Sequence, residues 1–113
     1  MNDTHEIELS LTQAKKIVER KAMVTKLMGN REFKALILEG YFKEEPARLV
    51  NLLGDPSMQA HRDDIIRDMC GISSLQGYFR NVVRMGSLAE IEVTDHEAEL
   101  ETMAANEADE AAE

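Results

Sequence analysis

Tryptophan is absent from the sequence, and aromatic residues of any kind make up 4% of it. A core must therefore be assembled from Leu, Ile, Val, Met and Ala, residues that suit packed helices. The single Cys70 excludes an intramolecular disulfide and fits a reducing compartment. Two Pro and six Gly are too few to punctuate many short strands. No apolar run approaches the roughly 20 residues that span a bilayer. The opening MNDTHEIELS has no basic region ahead of an apolar one, so neither a membrane span nor a signal peptide is expected. Lys and Arg are missing altogether after Arg84.

What is present is an ordinary globular composition, 43% hydrophobic and 31% charged, in 113 residues. That length allows one domain with a modest core. The net charge of −9 is unevenly laid out. Ten of the 22 acids fall between Glu90 and Glu113, a stretch with no Lys or Arg. The rest of the chain holds the other twelve acids against all 13 bases and is close to neutral. Within it, Lys15, Lys16, Arg20, Lys21, Lys26, Arg31 and Lys34 form a basic block interrupted by Glu19 and Glu32.

Residues 1–9 read as a loosely ordered lead-in. Ser10-Leu-Thr-Gln13 fits a capping box, which predicts a first helix from there to about Met28. Gly29 is placed to end it in the left-handed conformation, and Asn30 to cap the next. Leu11, Ala14, Val18 and Ala22 mark one side of that helix, widened by Ile17, Val24, Leu27 and Met28. In the following segment Phe33, Leu36, Ile37, Gly40 and Tyr41 recur at α-helical spacing and predict a core face, with Leu38 and Phe42 off it. Pro46 predicts a break near residues 43–45 and a new start, Pro46 to Leu53, with Leu49, Leu52 and Leu53 inward. Asp55-Pro56 repeats the start signal. A long helix from about Arg62 to Glu90 follows, with Ile65, Met69, Ile72, Leu75, Phe79, Val82 and Val83 as its stripe. Cys70, Ser73, Ser74 and Gly77 cluster opposite. Gly71, Gly77 and Gly86 are costly inside a helix, which points to close packing or a kink. From about residue 92 an acidic, Ala-rich tail is expected, partly disordered and lying as a loose electrostatic cover over the basic first helix.

No catalytic or metal-binding pattern stands out. His5, His61 and His96 are scattered without metal-site spacing. Cys70 has no partner marking it as a nucleophile and reads as a buried structural thiol. Ser73-Ser74 lacks a nucleophile elbow, and neither GxGxxG nor a P-loop occurs. Glu44-Glu45 is explained by the dipole of the helix beginning there. The expectation is a non-enzymatic protein with no cofactor and no metal. Lys15, Lys16, Arg20, Lys21, Lys26, Arg80 and Arg84 form a candidate phosphate-contacting set, with Tyr78 and Phe79 beside the last two. Phe79 lies on the core stripe, which argues against its stacking on a base.

Three segments, FKALILEGYFKEE (33–45), RLVNLLGDPSMQ (48–59) and GISSLQGYF (71–79), resemble small proteins encoded by tailed bacteriophages. The resemblance covers about residues 31–86. It implies a phage origin and an all-helical fold, and it carries over no active-site residue.

Together these features predict an all-α chain, a three-helix bundle or extended helical hairpin. It comprises a single helical domain over 10–91 with a broken second helix and a long third one, then the acidic tail at 92–113. Apolar surface left uncovered by so few aromatics invites a protein partner, phage or host, and homo-oligomerisation through Cys70, Ser74 and Gly77. The expected role is an accessory one in virion assembly or DNA packaging, in the host cytoplasm or on the virion, away from membranes. The alternatives are a nucleic-acid-associated factor autoinhibited by its tail, or an inhibitor of a host enzyme.

Overall fold

The computed structural model describes residues 2–112. Among these the chain is helical almost throughout, with no strand. Helix α1 runs Asn2–Met28, α2 is the single turn Arg31–Phe33, α3 is Glu45–Leu53 and α4 is Arg62–Ala112. A π-helical segment, Lys34–Glu44, joins α2 to α3, and a 3₁₀ segment, Pro56–His61, leads into α4. Two compact units result, one formed by residues 2–22 with 82–112 and the other by residues 23–81.

The local stop and start signals act as expected in two places. Asn30, in an extended conformation, accepts the Phe33 N–H at 2.9 Å and caps α2. Asp55 accepts the Ser57 N–H at 2.9 Å, with Pro56 next to it. Gly29 does not take the left-handed conformation, since no described residue has a positive φ. Its N–H instead bonds the Thr25 and Lys26 carbonyls, and Asn30 N–H bonds Leu27, closing α1 with tightened turns. Ser10 is not a cap either. It lies inside α1, which starts at Asn2 because Thr4 and Ile7 have a packing partner far along the chain.

In the 23–81 unit the interruption near Pro46 is one of hydrogen-bond register. Glu44 and Glu45 both keep α-helical dihedrals. The Glu45 N–H reaches back five residues to the Gly40 carbonyl. Pro46 has no N–H, and its ring crowds the carbonyl four residues earlier in an α-helix. The wider π turn relieves both conflicts. It also changes which residues face inward. With more than four residues per turn, Phe33, Ile37, Leu38, Tyr41 and Phe42 are half-buried, whereas Leu36 is 70% exposed. The predicted core face therefore fails at Leu36, and the two residues expected off it, Leu38 and Phe42, turn in.

Below this segment sits the core of the unit. Leu49, Ile65 and Ile72 are buried, with Tyr41, Phe42, Leu52, Leu53, Met58 and Met69 packed around them. All five aromatic residues of the chain meet here. Phe79 touches Phe33 edge-on at 5.8 Å between centroids, Phe42 at 6.2 Å and Tyr78 at 6.0 Å, and Tyr41 extends the chain of rings through Phe42. The two edge-to-face contacts, Phe79 with Phe33 and with Phe42, add roughly 0.5–1.5 kcal/mol each beyond area burial.

The other unit is an antiparallel pair of helices. Thr4, Ile7, Leu11, Ala14, Val18 and Lys21 on α1 recur at alternating spacings of three and four. So do Val82, Gly86, Ala89, Val93, His96, Leu100 and Met103 on α4. All of these positions are buried or half-buried, as are Ile17, Val83 and Ser87 beside them, and their alternating spacing is the heptad seam of a coiled coil. Thr4 Oγ1 lies 3.7 Å from Met103 Sδ, and a Cβ at Gly86 would fall 2.9 Å from Lys21 Cγ and Cδ. Residues 93–103 thus pack on α1 as a helix, and the electrostatic contacts are attached to that packing instead of replacing it.

Candidate interaction surface

The helix pair is flanked by charge. Lys21 Nζ is 2.8 Å from Glu90 Oε1, and Lys15 Nζ is 3.6 Å from Glu97 Oε1. These join the basic block to the acidic run at one edge of the seam, where coiled coils carry such pairs. Of the remaining phosphate-contact candidates, Lys16, Arg20 and Arg84 are exposed in this unit, and Lys26 and Arg80 are exposed in the other. Phe79 is committed to its ring contacts, while Tyr78 is 55% exposed.

His96 occupies a seam position in a groove lined by Asp3, Glu6, Ile7, Ser10, Glu99 and Met103. Its Nδ1 is buried with no hydrogen-bond partner, and Glu99 Oε2 is 3.6 Å away. His5 and His61 are exposed. No three His, Cys, Asp or Glu among the described residues are placed to hold a metal ion. No helix there is long and apolar enough to cross a membrane.

Two carboxylates depart from ordinary acidity. Arg48, bonded to Glu45 through Nε at 3.1 Å and through its terminal nitrogen, lowers the Glu45 pKa, and Glu45 in turn raises that of Arg48. An ion pair one turn away thus holds Glu45. The Asp55 pKa is lowered first by the backbone N–H of Ser57 and then by its hydroxyl.

The predicted self-association set lies on α4 in the 23–81 unit. Cys70 and Ser74 are exposed, and Gly77 is half-buried with nothing within 4 Å of an added Cβ. Cys70 is therefore a surface thiol, not the buried one expected, because it points away from the Ile65, Met69 and Ile72 side of α4. Sequence reasoning missed the exposed apolar residues further along α4, Leu88 at 54% and Ile91 at 60%. Their signal was a second heptad-like row, Arg84, Leu88, Ile91 and Asp95, hidden by the change to acidic composition. Comparison with protein-family models, with curated proteins and with solved structures finds no match.

Proposed function

We propose that this chain is a non-enzymatic module acting through protein–protein contacts. The resemblance of residues 33–45, 48–59 and 71–79 to small phage proteins extends the proposal to an accessory role in virion assembly or DNA packaging. One observation carries it. Among the described residues ten large apolar side chains are exposed, and only Val24, Leu49, Ile65 and Ile72 are buried among those larger than Ala. Of the ten, Met23 with Leu27 and Leu88 with Ile91 stand one turn apart on a helix face, and contiguous exposed apolar faces mark interaction sites. The test is capture from phage-infected cells with the full chain and with Leu36→Asp, chosen because Leu36 is the most exposed of the ten. A virion or packaging protein retained by the wild type and released by the variant supports the reading. Equal retention by both, or none by either, counts against it.

A second reading, a nucleic-acid-associated factor masked by its own acidic run, draws on the Lys15–Glu97 and Lys21–Glu90 pairs. Neutralising Glu90 and Glu97 to Gln should then tighten DNA binding at low salt. No binding by either form at about 50 mM salt, where phosphate contacts are strong, discards it.

A further inference from the structure

Within residues 82–112 the seam side of α4 is turned to α1. On another side Arg84, Leu88, Ile91 and Asp95 follow one another at spacings of four, three and four, which keeps them on one helical face. All four are exposed. Along that face the order is base, apolar, apolar, acid. Such an order is self-complementary when laid antiparallel on a copy of itself. An axis midway between Ala89 and Glu90 sets Leu88 of one copy against Ile91 of the other and Arg84 against Asp95. Two-fold symmetry makes each relation occur twice. A parallel pairing does the reverse. It sets Arg84 beside Arg84 and lays the two acidic runs of residues 90–112 alongside each other, whereas the antiparallel one points them in opposite directions.

The geometry points to a second copy of this chain as the occupant of this face, in a two-fold antiparallel α4–α4 contact centred on Leu88 and Ile91. The contact rests on the reading of the chain as one that works through protein contacts, and it gives that reading a partner and a register. It differs from the Cys70, Ser74 and Gly77 surface in resting on large apolar residues and opposed charge, not on small residues alone.

The full-length chain is examined by sedimentation equilibrium across the micromolar range at low and physiological salt. The expected result is a dimer whose dissociation constant rises with salt. Leu88→Glu/Ile91→Glu should be monomeric with unchanged helicity by circular dichroism, since both sites are exposed. Arg84→Glu and Asp95→Arg each place like charges opposite one another twice per dimer and should weaken it on the order of tenfold. The combined Arg84→Glu/Asp95→Arg exchange should restore wild-type affinity, because every opposed pair is then reconstituted with its signs swapped. A monomeric wild type, a dimer indifferent to Leu88→Glu/Ile91→Glu, or an exchange no tighter than its single changes overturns the contact. A monomer that still retains a Leu36-dependent protein from infected cells would sink this contact and spare the broader function. A dimer with no such retention would do the opposite.

Discussion

Leu36 and Ile37 are neighbours with the same volume and nearly the same hydrophobicity, yet the π register sends one outward and the other in. Under α-helical spacing both would line the core. Leu36→Ala is therefore expected to leave unfolding within about 0.5 kcal/mol of wild type, while Ile37→Ala should cost about 2 kcal/mol. Equal large losses in chemical denaturation would restore the α-helical reading of this segment. At Asp55 the argument is electrostatic. Its carboxyl is more acidic in the fold than in the open chain, through the Ser57 N–H and hydroxyl. A depressed folded pKa contributes stability above the unfolded value, and this is lost as pH falls through the folded one. Asp55→Asn keeps a capping oxygen and loses the charge. Its melting temperature should lie below wild type near neutrality and converge with it as the pH falls through and beneath the ordinary Asp range of about 3.9. A gap independent of pH would show that the charge does not contribute.

At the scale of elements, two glycines of α4 make opposite demands. Gly86 is buried where α1 approaches, and an added Cβ meets the stem of Lys21 close to its backbone, a part that cannot swing aside. Gly77 has nothing within 4 Å of the same addition. Replacing Gly by Ala inside a helix gains roughly 1 kcal/mol of intrinsic propensity. Gly77→Ala should realise that gain, whereas Gly86→Ala should be destabilising because the helices must separate. Thermal melts of the two variants shifting in the same direction would refute the close approach. The elements also show what the sequence could reveal. The caps at Asn30 and Asp55, the inward leucines after Pro46 and the stripe from Ile65 to Val83 are local signals, written within one or two turns. The π register was not legible, because a missing N–H at Pro46 alters bonding upstream while the apolar pattern still fits an α-helix. Nor was the start of α1. Thr4 meets Met103, and Ile7 shares a groove with His96 and Met103, residues far along the chain within a run whose charge masks its heptad spacing. The Leu88 and Ile91 face was legible as a spacing but not as a surface, since only packing decides which of two apolar rows is covered.

For the whole molecule, the decisive question is what the acidic segment does mechanically. If it were a loose cover, removing it after Glu90 would cost only its own helicity. The seam argues otherwise. His96 and Met103 line a groove with Ile7 at the N-terminal turns of α1, Val93 lines one with Val18 further along, and Glu97 supplies the partner of Lys15. Truncation leaves Val82, Gly86, Ala89 and the Lys21–Glu90 pair, of which Val82 alone contributes an apolar side chain larger than Ala. The stretch of α1 ahead of Ala14 is then an unsupported helix near or below the roughly 12–15 residues at which isolated helices are marginal in water. Truncation after Glu90 should therefore lower far-UV helicity by more than the removed residues account for, and amide exchange should accelerate across residues 2–17. The 23–81 unit keeps Leu49, Ile65 and Ile72 with their surrounding residues and should retain slow exchange there. Salt separates the packed from the electrostatic contribution in the full-length chain. Exposed ion pairs weaken as ionic strength rises, because the Debye length shrinks to about 3 Å at 1 M salt, but burial of the seam does not. Protection of residues 2–17 should accordingly persist at high salt. Protection that vanished with salt, or helicity loss limited to the deleted residues, would return the segment to the role of an electrostatic cover.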